Sequence, residues 1–177
     1  MTADRLTTAR LRGERPRVAH APLYEDLFGS DAVTETLWPP PHGGARSPGE
    51  ARELLELDLA HWAAEGFGPW VVFESAAGGR FVGHGGLRRG LIEDEGIVEV
   101  LYALRPDAWG RGYATELALA AVGRGRELAL TDVVGFTLTT NVASQRVLEK
   151  TGLRFERTIE HAGLPHWFGR LALASPR

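Results

Sequence analysis

Arg105-Pro106-Asp107-Ala108-Trp109-Gly110-Arg111-Gly112-Tyr113-Ala114 joins two segments of opposite character. Before it, Ile97 to Leu104 is apolar on both alternating faces except at Glu99, the pattern of a central strand covered on each side. After it, Thr115 to about Leu130 is rich in alanine, leucine and glutamate and reads as a helix. Gly123 and Gly125 each cost that helix about 1 kcal/mol relative to alanine, so tertiary packing must compensate. A glycine-rich turn from strand to helix exposes successive backbone N–H groups where the helix dipole also favours negative charge. Such a turn can hold a phosphate, and its small residues let the phosphate come close. Two glycines there can equally make a plain tight turn. The Gly-x-Gly-x-x-Gly of dinucleotide sites and the Gly-Lys-Ser/Thr of a P-loop are both missing.

Working outward, Ser47-Pro48-Gly49-Glu50 is a capping box with proline at the first helical position. Ala51, Leu55, Leu59 and Trp62 follow at helical spacing, and Gly66 marks the end. Ahead of that helix, Trp38-Pro39-Pro40-Pro41-His42-Gly43-Gly44 excludes helix and sheet interior and reads as a loop within a domain. Trp70-Val71-Val72-Phe73 and Arg80-Phe81-Val82-Gly83 are β-type runs joined by the short loop Ser75-Ala76-Ala77-Gly78-Gly79, with a third strand soon after. Val133 to Thr139 is another β-type run. Asn141 then opens a short helix with Val147 and Leu148 apolar and Gly152 as its stop, and Phe155 to Ile159 and His166 to Leu173 supply closing strands. The predicted order is helices first, a meander of three antiparallel strands, then strand, helix, strand, helix, strand, strand. The fold class is therefore α+β (mixed α/β). One domain spans residues 1-177 with a core from about 6 to 173, built on a mixed, mostly antiparallel sheet of about six to seven strands with helices on both faces.

The 177 residues are 44% hydrophobic and 24% charged, within the range of one globular domain. A formal net charge of -3 provides no global basic field for nucleic acid or an anionic membrane, so an anionic ligand must be held locally. Cysteine is absent, which removes a disulfide framework, a thiolate zinc site and a sulfur nucleophile together. No apolar run approaches the roughly 18 residues of a spanning helix. A cytoplasmic setting without nucleic-acid or membrane partners is expected.

Trp109-Gly110-Arg111-Gly112-Tyr113-Ala114 resembles the acyl-CoA loop of the GNAT superfamily of N-acetyltransferases, Gln/Arg-x-x-Gly-x-Gly/Ala, and departs from it at the first position. Trp109 to Glu116 is similar to the RimJ/RimL-type branch, which includes the ribosomal-protein alanine acetyltransferases. Asn141-Val142-Ala143-Ser144-Gln145-Arg146-Val147-Leu148-Glu149-Lys150-Thr151-Gly152 resembles that branch's second signature, Asn-x-x-Ser-x-x-Val-Leu-Glu-Lys-x-Gly. Gly66-Phe67-Gly68-Pro69-Trp70 and Glu99-Val100-Leu101-Tyr102 are weaker matches. The likeness runs from about Leu6 to Leu173 and implies a GNAT-like domain. Leu101 stands where relatives usually carry glycine beside a strand bulge.

The resemblance implies transfer of an acetyl group from acetyl-CoA, the cosubstrate, directly to an amine without an acyl-enzyme. It assigns Trp109, Gly110, Arg111, Gly112, Tyr113, Ala114 and Thr115 to the cofactor's pyrophosphate, and Asn141 and Ser144 to its pantetheine arm and sulfur. It further assigns a main-chain N–H near Ala103 or Leu104 to the oxyanion. Glu99 is the candidate base, because desolvation on an apolar strand raises a carboxyl's pKa toward values useful for proton abstraction, directly or through water. A glutamate paired with an arginine or facing solvent at a sheet edge fits the same sequence. Ser144 is the candidate acid by the second signature; read alone, Asn141 is a helix cap and Ser144 a first-turn serine. Tyr102 and Tyr113 are alternative proton donors that packing also explains. His84 fits the acceptor site or a structural role, and Trp38, Trp62 and Trp167 fit the acceptor cleft or the core. His161 and His166 lack the carboxylate and spacing of a metal site, so no metal is expected. The acceptor is an amine, a protein N-terminus by closest resemblance. An antibiotic, polyamine or amino acid serves the same chemistry, and a CoA-binding module without turnover is the reading of a different class. Homodimers are common among such relatives, and the oligomeric state stays open.

Overall fold

The computed structural model describes residues 4–41, 43–76 and 78–173. Two short strands come first, β1 (Arg5–Thr7) and β2 (Leu11–Glu14), followed by helices α1 (Ala21–Phe28), α2 (Asp31–Thr34) and α3 (Pro48–Glu65). Next are β3 (Pro69–Glu74), β4 (Phe81–Ile92), β5 (Glu95–Leu104), α4 (Tyr113–Glu127), β6 (Asp132–Leu138), α5 (Val142–Lys150), β7 (Arg154–His161) and β8 (Leu164–Ala172). The eight strands form one sheet in the order β1-β2-β3-β4-β5-β6-β8-β7. Every neighbouring pair is antiparallel except β5 and β6.

Side chains of β3 alternate between two layers. Trp70 and Val72 join Leu117, Ala118 and Ala121 of α4, whereas Val71 packs with Tyr24, Leu27 and Phe28 of α1. Helices therefore cover both faces, as the doubly apolar β5 requires. Gly125 is the compensation that the α4 sequence called for, since a Cβ there would meet Leu173 Cδ1 at 2.9 Å and Val133 Cγ1 at 3.3 Å. Its bare backbone lets the helix lie close on the sheet. Helix α3 begins as the sequence predicts: Ser47 Oγ accepts from Glu50 N, Glu50 Oε2 accepts from Ser47 N at 2.8 Å, and Gly66 closes it at φ 71°.

The sequence-derived order changes in two places. Helices do not come first, because β1 and β2 precede them; at three and four residues these strands are too short to display an alternation. The third strand of the meander is also not separate from the second, whereas the strand that follows it, Ile97 to Leu104, is present within β5. β4 instead runs unbroken for twelve residues through Gly83, Gly85, Gly86 and Gly90, and the sequence reading had stopped it at the first of these. Gly83 is there because a Cβ would lie 2.2 Å from the Ala103 carbonyl oxygen, so the two central strands can meet only at glycine. No helix among the described residues is long and apolar enough to cross a membrane.

Candidate active site

Parallel neighbours β5 and β6 pair at a single position, Glu99 with Val134, and then separate. From Val100 onward one edge of β5 has no strand beside it, at the centre of the sheet. A cavity of about 680 Å³ opens there, and Glu99, Ala103, Leu104, Trp109, Gly110 and Gly112 contribute to its wall. Tyr113, Ala114, Thr115, Asn141 and Ser144 line it too. Of the residues that the sequence singled out for cofactor and catalysis, Arg111 alone does not line this cavity. Its guanidinium turns away to Glu74 Oε1 at 2.8 Å and lies 4.7 Å from the centre of the Tyr113 ring.

The ladder on the other side of β5 decides which amides face the gap. Pairing with β4 is continuous from Leu104 opposite Gly83 to Glu95 opposite Ile92, so no bulge interrupts it at Leu101. Arg105 N donates to Val82 O, and alternation along an antiparallel strand sends the N–H of Ala103 the same way. Tyr102 and Leu104 keep their N–H groups on the open edge. Of the two positions that the sequence reading offered for an oxyanion donor, Leu104 is the one the ladder leaves available.

At the far end of β5 the chain makes a single 3₁₀ turn, Pro106–Ala108, and passes through Gly110 and Gly112 at φ 70° and 79° into α4. These left-handed angles are accessible at little strain only to glycine. Among the described residues the amides of Gly110, Arg111, Gly112, Tyr113, Ala114 and Thr115 donate to no protein acceptor; the first recorded bond of the helix is Glu116 N to Gly112 O. A run of unpaired donors at the start of a fifteen-residue helix suits a phosphate. The loop is braced from outside: Arg10 Nε pairs with Glu116 at 2.7 Å and Arg10 Nη1 donates to Arg111 O at 2.8 Å, while Trp109 Nε1 donates to Leu104 O at 2.8 Å. Tyr113 is buried with its hydroxyl on Glu74 Oε1 at 3.0 Å, which makes it a packing residue.

Glu99 is partly buried and its carboxylate has no hydrogen-bond or ion-pair partner among the described residues. Burial pushes its pKa up to about 7, although the charge of Arg88 pulls the other way. On the opposite face of β5, Tyr102 Oη lies 2.9 Å from Ser144 Oγ and donates to the Ser144 carbonyl at 3.1 Å. Asn141 caps α5 by accepting from Ser144 N at 3.1 Å, and its side-chain amide donates to Thr36 O at 3.3 Å. Asn141 and Ser144 are thus the cap and first turn that the residues alone suggested, and both also face the cavity.

Beneath α3 lies a cluster that the sequence reading missed. Asp58 is fully buried; it accepts from Tyr24 Oη at 2.7 Å and from Arg88 Nη2 at 2.5 Å. His84 Nε2 sits 3.2 Å from the same carboxylate, out of line for a hydrogen bond, and His84 Nδ1 has no partner. Burial would raise the pKa of Asp58, but neighbouring His84, Arg88 and Tyr24 outweigh it and hold the group down at about 2. Burial and the Asp58 charge push the Tyr24 phenol up. The signal was present: the buried positions of α3 are Ala51, Leu55, Asp58 and Trp62, so a carboxylate occupies the apolar stripe where Leu59 was expected.

His161 and His166 stand at the other end of the cavity, 5.5 Å apart by ring centre, with Phe136 against both. Burial, then the neighbouring His166, lower the pKa of His161. Trp38 lines the cavity, whereas Trp62 and Trp167 belong to the core. Among the described residues no three His, Asp or Glu side chains are gathered as metal ligands.

Residues 10–154 match the acetyltransferase (GNAT) domain family. Among curated relatives, the uncharacterized protein YkkB of Bacillus subtilis is 28% identical over 125 residues, which is 70% of this chain and 72% of that protein. The FsC-acetyl coenzyme A-N(2)-transacetylase of Aspergillus fumigatus is 36% identical over 102 residues, covering 52% of this chain and 41% of its own length. Solved structures share the fold. An acetyltransferase from Agrobacterium tumefaciens superposes with a TM-score of 0.79 at 24% identity, over 94% of this chain and 93% of that one. RimL, a ribosomal L7/L12 alpha-N-protein acetyltransferase solved with coenzyme A, gives 0.74 at 17% over 95% and 97%. A Vibrio cholerae spermidine N-acetyltransferase solved with CoA and spermine gives 0.73 at 15% over 93% and 96%.

Proposed function

This chain belongs to the acetyltransferase (GNAT) domain family, and from that premise we propose that it is an N-acetyltransferase of the RimJ/RimL-type branch, transferring acetyl from acetyl-CoA to a primary amine in the cytoplasm. The observation that carries the reading is the gap between β5 and β6, with a loop of unpaired amides at one end and the unpartnered Glu99 carboxylate at the other. The main-chain donors from Gly110 to Thr115 would hold the cosubstrate's pyrophosphate, and Asn141 with the open edge of β5 would hold its pantetheine arm. The residues present fit such a group, since the donors lack protein partners and a Cβ at Gly110 or Gly112 would bring strain to the turn. Acetyl-CoA supplies the acetyl group as a thioester.

Glu99 takes the proton from the acceptor ammonium, directly or through a water, with a pKa of about 7 that keeps it half-ionised at neutral pH. The Leu104 amide on the open edge of β5 stabilises negative charge developing on the acyl oxygen. The hydroxyls of Tyr102 and Ser144, 2.9 Å apart, would return a proton to the departing sulfur. The chain has no cysteine to carry the acyl group through a thioester intermediate. Incubation of the protein with acetyl-CoA and a panel of amines, amino acids and N-terminal peptides tests the reading by free thiol release together with the mass of the N-acetyl product. Thiol release without any N-acetyl product would leave a thioesterase in its place, and binding of acetyl-CoA without thiol release would leave a silent CoA-binding module.

A further inference from the structure

The acceptor side of the cavity has a charge pattern that none of its catalytic duties requires. Arg88 and Glu99 stand directly opposite each other on β4 and β5, a placement that brings Cβ atoms to within about 5 Å on one face. Opposite charges in that position ordinarily pair, yet no contact joins them among the described residues. Arg88 is held instead by Asp58 from α3, a carboxylate fixed in turn by Tyr24. That contact uses one N–H of a guanidinium that has five. Arg88 keeps 36% of its side chain exposed and lines the cavity, with its other donors unengaged among the described residues. The chamber therefore presents a fixed fork of donors and an unpartnered carboxylate side by side, kept apart by a buried anchor.

Resting on the N-acetyltransferase reading, we propose that the acceptor is a zwitterionic amine, a free α-amino acid, whose carboxylate is bound by Arg88 while its amino group faces Glu99. A planar carboxylate matches the fork of a guanidinium, and an α-amino group lies only a few Å from its own carboxylate, as Glu99 lies from its cross-strand neighbour. The lining residues carry just two carboxylates, Asp58 and Glu99, against Arg88, Arg146 and Lys150. Asp58 and Arg88 offset each other, so a polycationic acceptor would find a single counter-charge at Glu99, whereas a zwitterion can place its ammonium at Glu99 and its carboxylate on the unengaged N–H donors of Arg88. Phe28, Trp38, Phe136, His161 and His166 also line the cavity and suit an uncharged planar or apolar side chain. Arg88 is thus the residue that sets specificity, and Asp58 positions it.

Three probes that differ only at the carboxylate, phenylalanine, phenylalaninamide and phenethylamine, decide the matter by steady-state kinetics with acetyl-CoA. A charged contact of this kind predicts a kcat/KM for phenylalanine about a hundredfold above that for phenethylamine, with the amide between them or at the lower value. In Arg88→Gln that ratio falls to within about fivefold, while Arg88→Lys keeps part of it. Equal rates on phenylalanine and phenethylamine by the unaltered protein overturn the proposal without any variant, as does a variant that slows all three probes alike. Acetylation of spermidine or an N-terminal peptide with none of the three probes also overturns it and leaves the N-acetyltransferase reading intact. Acetylation of no amine of any class removes both.

Discussion

Replacing Glu99 by glutamine separates a catalytic carboxylate from a structural one, because the structure requires the two consequences to have opposite signs. Moving a carboxyl from 4.5 to about 7 corresponds to about 3 kcal/mol of disfavoured ionisation in the folded chain. Below pH 4.5 the group is protonated in the folded and unfolded chains alike. Between 4.5 and 7 the unfolded chain releases the proton while the folded chain retains it, so stability falls as pH rises and reaches its lower level above 7. Glutamine never ionises and escapes that fall. Glu99→Gln is therefore expected to raise the thermal midpoint at pH 8 by about 6 to 12 °C for a chain of this size, and by little at pH 5. Acetyl transfer moves the other way, with kcat/KM at pH 8 down about 10² to 10⁴-fold as for loss of a general base. In the unaltered protein kcat/KM rises about tenfold per pH unit below 7 and levels above it. Thermal denaturation at the two pH values and a pH profile measure both. An equal stability change at pH 5 and pH 8, or a variant within a few-fold of full activity at pH 8, would refute the reasoning.

Other consequences follow from single contacts. Ser144→Ala and Tyr102→Phe should each lower kcat about 10 to 100-fold with little change in the KM for acetyl-CoA, and the double variant should lose less than the product, since the two hydroxyls share one hydrogen bond; steady-state kinetics of the cycle measures this. Gly112→Ala forces a side chain into φ 79° and to 3.3 Å from Arg10 Nη2, so it should destabilise the loop by about 1–2 kcal/mol and weaken acetyl-CoA binding in calorimetry. The two glycines of α4 should part company in denaturant titrations. Gly123→Ala meets nothing within 4 Å and should stabilise by about 0.5–1 kcal/mol, whereas Gly125→Ala collides with Leu173 and should destabilise by about 1–3 kcal/mol.

Strong local signals carried most of the fold. The capping box at Ser47, the doubly apolar run around Glu99 and the glycines that close α3 and α5 act within a few residues, so they are visible in the linear chain. β4 was misread because its glycines look like breaks in isolation; their reason is the backbone of β5 pressed against them, which no window along β4 contains. β1 and β2 gain their place from β3 beside them, not from their own few residues.

The candidate site divides in the same way. A motif read by its backbone, Gly110 to Thr115, lies where its composition indicated, because the turn is made by glycine angles within the motif itself. Arg111, valued as part of the motif, points to Glu74 from another element altogether. The Asp58 anchor unites α1, α3 and β4 and so belongs to no single segment, although a charged residue on the buried stripe of α3 was a mark that the chain did display. Ser144 and Asn141 could be interpreted from sequence only through resemblance, since a helix cap and its first turn look alike wherever they occur.

Titration of the protein with coenzyme A and with pantetheine, which lacks the diphosphate, tests the central claim most directly. Grip by the unpaired amides of the Gly110 loop predicts saturable heat with coenzyme A at one site per chain and an affinity at least about a hundredfold above that for pantetheine. Equal affinity for the two, or no heat with either, would contradict it.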